Sequence, residues 1–562
     1  MGRKMNDKNP SFQYSIIPVF QFVCSGEFLN RGNTMDLVIL SARIFTGNAK
    51  QPWVEALGIR DNKIVILGST AQVKKACRRN TQIVELKGRL GTPGFVDAHT
   101  HFVNFGLTLQ RVGLMNLPSL AECRGRIREA VASCSPGEWI IGRGWNEHFW
   151  EEKREPTRFD LDDLTPHNPA MMIRACGHSV WVNTAALAAA GITRDTADPP
   201  GTRIERDPVN GEPTGLLREL RRHMEKFIPP PTLETRKKAA LAAQEEALRF
   251  GVTGVHSCET LREWEALSAL EEEGKLKIRV HQTIPYDGLE EGRSRSLRPW
   301  RGGQRLWFGQ VKLYADGSLG SGTALLHAPY ADHPADRGLA VLTPQALRKR
   351  VMEAYRNGYS VAVHAIGDKA VTNSLKAIAS ARKEFPGARR DRIEHVQLFR
   401  PADLTLFREL GVVASVQPVH LSTDWATAEK KWGSDRCRNG YAWRSLLKAG
   451  IRLQFGSDAP VEPINPLLGL QAAVTRKDIR GNPAGGWFPG EKLTLEESIK
   501  AFTALPAWSS KKEKFLGALT PGRLADLTVF AKDLFQVPPE EWRSVETEMT
   551  IVNGEIVYRK SR

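Results

Sequence analysis

The chain has 562 residues, is 41% hydrophobic and 25% charged, and carries a net charge of +16. It is too long for one ordinary domain, and its composition is that of a globular protein with a full core. The positive charge would favour anionic partners, but no basic stripe interleaved with aromatics and no nucleic-acid module occurs, so nucleic acid is not an expected partner.

No apolar run reaches the length that spans a bilayer, so no membrane association is expected. Seven cysteines without a CxxC pair make no disulfide framework, which fits a reducing cytoplasm. Residues 1–34 read as an extension expected to be disordered. Their apolar run "SIIPVFQFVC" is broken by Pro18 and no small-residue cleavage site follows, unlike a secretory signal.

From Met35 the pattern is one of short strands, "DLVILSARIFT", "WVEALGIRDNKIVILG" and "TQIVELKGRL", with a hairpin turn at Arg60–Lys63. The far end repeats the pattern in "LADLTVFAKD" and "VETEMTIVNGEIVYRK", the latter turning at Asn553-Gly554. Residues 35–92 and 511–562 therefore predict one small β-sandwich domain completed by both termini.

Residues 93–510 alternate strands with helices, the mark of an α/β fold with a parallel sheet. Eight buried-strand candidates lie at 94–100, 252–258, 277–284, 307–315, 359–366, 391–398, 411–418 and 451–458. Helical patterns such as "ETRKKAALAAQEEALRFG" and "PQALRKRVMEAYRNGY" separate them, each stopped by glycine. Eight such repeats predict a (β/α)8 TIM barrel. The interval between the first two strands is oversized, so residues 104–245 read as an insertion after strand one, on the side where barrel active sites lie.

Side chains two apart on a strand point the same way, so His99 and His101 can chelate one ion. Alone the pair means little, since two hydrogen-bonded polar side chains at a strand end are as common. Four further residues change the balance. Lys312 lies inside the fourth strand, where a bare ammonium is costly. His364, His395 and Asp458 stand near the ends of strands five, six and eight. The mixture suits zinc or a related divalent ion. Asp97 shares the parity of the two histidines but lies deeper, and is expected to orient a ligand histidine.

Together "PGFVDAHTH", "GRGW", "CGHSVWVNTAAL", "PTGLLRE", "KLYADGSLGSGTA", "VAVHAIGDKAV", "RIEHVQ", "FGSDAPVEPINPL" and "LTPGRLADLTVF" resemble the amidohydrolase superfamily of metal-dependent hydrolases. The similarity runs from Met35 to Tyr558 and is greatest to the branch of N-substituted formamide deformylases. It implies that His99, His101 and Asp458 bind one metal ion. It also implies that Lys312, carboxylated, bridges to a second ion on His364 and His395. One ion or two remain open.

Asp458 would then serve as the catalytic acid–base that takes a proton from water and returns it to a departing amine. Trp145, Asn146, His178 and Asp316 are candidate substrate contacts, with packing or turn formation an equal explanation. Related chains often carry arginine where Gly322 stands, so no substrate anchor is carried over there. His256, Cys258 and His281 are expected to pack behind the ligands.

The expected activity is hydrolysis of a small-molecule amide or formamide C–N bond by a cytoplasmic enzyme, and a homodimer is allowed. The alternatives are a cyclic amide hydrolase or deaminase of the same superfamily, and a non-catalytic scaffold. Lys312 counts against the deaminase, and the full ligand set against the scaffold.

Overall fold

A computed structural model describes residues 35–132, 134–175 and 178–561. The expectation for residues 1–34 lies outside the described residues.

Eight strands form the barrel: β1 (Phe95–Thr100), β2 (Val252–Ser257), β3 (Arg279–Pro285), β4 (Leu306–Tyr314), β5 (Ser360–Ala365), β6 (Arg392–His395), β7 (Val413–Val416) and β8 (Arg452–Phe455). Each pairs in parallel with its successor, from β1 through to β8. All eight overlap the windows expected from sequence. They read as near-continuous apolar runs because helices cover one face while side chains fill the interior on the other. Val311, Leu313, Val361 and Val363 share one core with Val351, Leu375 and Ile378 of the covering helices.

The seam between β8 and β1 closes just beyond the strands. Asp458 N–H donates to the His99 carbonyl (2.7 Å), and His101 N–H donates to the Ala459 carbonyl (2.8 Å). The Asp97 carboxylate accepts from Ser457 N–H at 2.9 Å. The two backbones approach so closely at Gly456 that a Cβ there would stand 2.5 Å from His99 N. Barrel closure therefore places the ends of β1 and β8, with their histidines and aspartate, against each other.

The chain's two ends meet in a sandwich of a four-stranded and a six-stranded sheet. Leu90–Pro93 pairs antiparallel with Leu527–Phe530, joining the N-terminal and C-terminal parts within one sheet. Ile39, Ile44, Leu57, Val529 and Ile551 fill the space between the sheets. The Arg279 guanidinium at the start of β3 grips Asp526 through two hydrogen bonds (2.6 and 2.9 Å), fixing the sandwich to the barrel.

Between β1 and β2 lies a fourth, mixed sheet of six strands, from Val112–Gly113 to Pro213–Arg218. The helices on either side of it, Phe102–Leu109 and Leu233–Arg249, pack on each other at Gly106, whose missing side chain makes room for the Ala239 carbonyl. They bury Phe102, Val103, Ala240 and Ala243 with Val252 and Val255 of β2, as part of the barrel wall.

Candidate metal centre

Three residues of one parity, Asp97 and His99 of β1 and His101 just beyond its end, stand at the mouth of the barrel. The deepest, Asp97, is buried and accepts Ser457 N–H (2.9 Å) and His99 N–H (3.2 Å). It therefore holds the backbone at the barrel seam, and no imidazole. Burial pushes its pKa up to about 7 against those two bonds. The sequence expectation that Asp97 orients a ligand ring is corrected: that task falls to Glu394 of β6. His99, only 1% exposed, places Nδ1 at 2.7 Å from Glu394 Oε2. A carboxylate can only accept, so Nδ1 carries the proton and Nε2 faces the site.

His99 Nε2 lies 3.4 Å from Asp458 Oδ1, and His101 Nε2 lies 3.3 Å from the same oxygen. Neither contact is a satisfied hydrogen bond, and among the described residues the buried Asp458 Oδ1 has no hydrogen-bond partner. The ligand atoms of His99, His101 and Asp458 all lie within 4.8 Å of one another. Asp458 adopts a left-handed backbone (φ 63°), as does His395 (φ 75°). Such conformations cost energy in non-glycine residues and collect at functional sites.

The electrostatics match a cation. Burial would depress the pKa of His99, but the charges of Cys258, Glu394 and Asp458 outweigh it and raise it to about 10. Burial would raise Asp458, yet His99, His101 and His395 hold it well below the usual carboxylate range. The anionic groups thus retain a second proton on His99 where a divalent ion would supply the same positive charge. An orphaned carboxylate oxygen beside two imidazole nitrogens suits such an ion.

Around this trio sit the other expected ligands. Lys312 is buried on β4 with its ammonium 5.2 Å from the Tyr314 ring centre, and among the described residues it forms no ion pair. Burial lowers its pKa, but Cys258 and Glu394 more than offset this and raise it. His364 of β5 donates Nε2–H to the Gly317 carbonyl at 3.0 Å, and burial with Lys312 nearby lowers its pKa to about 4, so it is neutral. Its ring centre lies 4.6 Å from that of His395. His395 donates Nδ1–H to Gln417 Oε1 at 2.7 Å, which leaves Nε2 as its open atom.

A model of the amidohydrolase family matches residues 82–558. The chain belongs to the amidohydrolase family. It is 35% identical to YtcJ of Bacillus subtilis (strain 168), a protein named as an amidohydrolase, over 90% of this chain and 96% of that protein. It is 26% identical to the N-substituted formamide deformylase of Arthrobacter pascens over 94% and 99% of the two chains. The crystal structure of an uncharacterized metal-dependent hydrolase from Pyrococcus furiosus superimposes with a TM-score of 0.74 at 30% identity, covering 88% of this chain and 99% of the other.

The candidate substrate contacts of this amidohydrolase separate. Trp145 is packed against Trp150 and Trp181, and its indole N–H is spent on the Met172 carbonyl at 2.7 Å. It is a core residue of the inserted sheet rather than a substrate contact. Asn146 caps a short turn through His148 N–H. His178 is exposed and lies 2.9 Å from Glu219. Asp316 is buried and accepts three backbone N–H groups, from Leu325, Ile366 and Gly367, which anchors the loops after β4 and β5. Burial raises its pKa to about 7 against those bonds. It serves as a loop anchor 3.7 Å from His364.

Four groups that sequence reasoning missed complete the centre. Arg392 and Glu394 share β6 and are both fully buried, with Arg392 Nε 2.6 Å from Glu394 Oε1. The N–H does not point at that oxygen, so charge rather than a hydrogen bond holds the pair. Arg392 also donates to His256 Nδ1 (2.7 Å), which makes His256 part of a chain running to His99 through Glu394. Gln417 orients His395, and His420 faces Asp458 from the helix that follows β7. The Cys258 thiol, expected to pack behind the ligands, lies in the field of His99 and Lys312, which pull its pKa down to about 6 against burial.

Among the described residues, no helix is long and apolar enough to cross a membrane.

Proposed function

We propose that the protein is a metal-dependent hydrolase that cleaves an amide or formamide C–N bond of a small molecule outside peptides, giving an acid and an amine. The carrying observation is the convergence of His99, His101 and Asp458 on one buried point, with an Asp458 oxygen left unpartnered. His99, His101 and Asp458 would hold a divalent ion, zinc by the chemistry of the donors. Lys312 as a carbamate would add an anionic oxygen, relieving a buried ammonium that forms no ion pair among the described residues. Held by these residues, such an ion would supply Lewis acidity, polarising a carbonyl and lowering the pKa of water towards neutrality.

The chain's residues do the rest. Glu394 fixes the His99 ring, and Gln417 fixes His395. Asp458, whose Oδ1 turns to His99 and His101, would accept a proton of the attacking water and deliver it to the departing nitrogen. Tyr314, beside Lys312, and Val461, whose N–H meets the Asp458 carbonyl, are both exposed. They favour a substrate with an apolar substituent.

A hydrolysis screen of formamides, N-acyl amines and cyclic amides with added zinc or manganese tests the reading. The wild type should turn over at least one of these classes, and His99→Ala with His101→Ala should lose both metal and turnover. Unchanged metal content in the double variant would refute the site. A fully metal-loaded wild type inert towards every amide class would refute the reaction.

A further inference from the structure

His420 is a buried histidine that neither strand parity nor the family resemblance picks out. It sits in the first turn of the helix Pro418–Trp432, directly after β7, and is 7% exposed. Among the described residues its Nε2 has no hydrogen-bond partner, and it stands 3.9 Å from Asp458 Oδ2, the carboxylate oxygen turned away from His99 and His101. Its ring lies nearly parallel to that of His395, 12° apart with centres separated by 6.2 Å. The ligand atoms of His395, His420 and Asp458 lie within 4.8 Å of one another.

We propose that His420 is a ligand of a second divalent ion, bound through Nε2 together with His395 Nε2 and Asp458 Oδ2. The inference rests on the metal-dependent reading given above and deepens it. Three features favour a ligand over a proton relay. First, 3.9 Å is too long for a hydrogen bond. Two ligands about 2.1 Å from a shared ion stand roughly 3 to 4 Å apart, depending on the angle between them.

Second, the ring has an orienting partner on its far side. Gln397 lies 3.5 Å from Nδ1, and Gln397 Oε1 is a buried acceptor without a donor. Turning that amide by half a rotation sets Oε1 on Nδ1–H, which fixes Nε2 as the lone-pair nitrogen. The oxygen and nitrogen of a glutamine are interchangeable in shape, so the hydrogen-bond network decides between them. This repeats the arrangement of His395 with Gln417 and of His99 with Glu394, in which a partner on Nδ1 leaves Nε2 for the ion.

Third, His364 donates Nε2–H to the Gly317 carbonyl, which leaves Nδ1 as its lone-pair nitrogen beside His395, so His420 adds to the expected ligands rather than displacing one. His420 Nε2 is spent on nothing. Asp458, with one oxygen towards each trio, is then the shared ligand between the two ions.

Stripped protein titrated with Co2+ is the test, read by bound-metal analysis and by visible absorption of the bound ion. Wild type, His101→Asn, His420→Asn and His420→Gln are compared, the glutamine variant keeping side-chain length and polarity. Circular dichroism verifies that each variant is folded. The wild type is expected to take up two Co2+ ions. Both His420 variants should retain the first at unchanged affinity and weaken the second by at least about tenfold, with loss of its absorption band. His101→Asn should weaken the first. The proposal is overturned if the second ion binds both His420 variants as it binds wild type, or if saturated wild type holds a single Co2+. No Co2+ uptake by wild type would instead sink the metal-dependent reading itself, and this inference with it.

Discussion

Replacing Glu394 by Gln tests the buried chain that supports the centre. Arg392 and Glu394 are both fully buried. Removing the negative charge leaves a guanidinium in the barrel interior whose Nε and one Nη have no hydrogen-bond acceptor even in the wild type. Breaking such a pair from one side costs about 3 to 5 kcal/mol. The same substitution replaces the anion on His99 Nδ1 by a neutral carbonyl at best. Loss of an outer partner of a metal-binding histidine weakens the ion by about 10- to 100-fold.

Adding Arg392→Met to the Glu394→Gln chain separates the two effects. The bare cation is gone, so most of the stability should return, less about 1 kcal/mol because His256 Nδ1 loses its donor. Metal affinity should stay low, because His99 still lacks its anion. Urea denaturation followed by tryptophan fluorescence should rank the midpoints wild type, then double variant, then Glu394→Gln. A single variant within about 1 kcal/mol of wild type would refute this account of the pair. So would a double variant no more stable than the single.

Two other outcomes follow from the same geometry. Gly456→Ala puts a Cβ 2.5 Å from His99 N and 2.8 Å from the Asp97 carboxylate, atoms that cannot swing aside. It should cost about 2 kcal/mol or more and weaken metal binding, measured by melting and metal titration, whereas wild-type behaviour would show that the seam can open. His281 in β3 is held neutral by burial, its pKa lowered to about 3. Its contribution is complete above the unfolded-state value of 6.5 and is lost as pH falls from there towards 3. Denaturation midpoints from pH 7 to pH 4 should therefore fall less steeply in His281→Gln, by up to about 1.4 kcal/mol per pH unit, and equal slopes would refute the assignment.

The barrel was legible in sequence because each strand is a short apolar run between helix caps, and that pattern follows from burial on both sides of the wall. Helix Pro344–Arg356 shows how local the information is. Thr343 caps its start, Pro344 fits its first turn, and Gly358 (φ 81°) follows its end. Residues whose role depends on parity along one strand, His99 and His101, were equally open to reading. Asp97 shows where parity stops: it gives the side a residue faces but not the partner. Asp97 turned out to meet a backbone N–H group across the β8–β1 seam, that of Ser457, a contact made 360 residues away in the chain.

The residues that escaped belong to relations a one-dimensional pattern does not encode. Glu394 precedes His395, so simple alternation would put their side chains on opposite faces. Backbone left-handed at His395 and Val396 ends that alternation and lets both residues serve one centre. His420 lies in a helix turn, where strand parity has no meaning, and reaches Asp458 only because β7 and β8 are neighbours. The tryptophan at 145 misled for the converse reason. An aromatic in a loop-like motif could have faced a substrate, and only the packing of Trp145 on Trp150 and Trp181 shows that it faces its own sheet. Ligands on separate strand ends can thus be guessed from spacing, whereas the groups that orient them are fixed by the closure of the barrel.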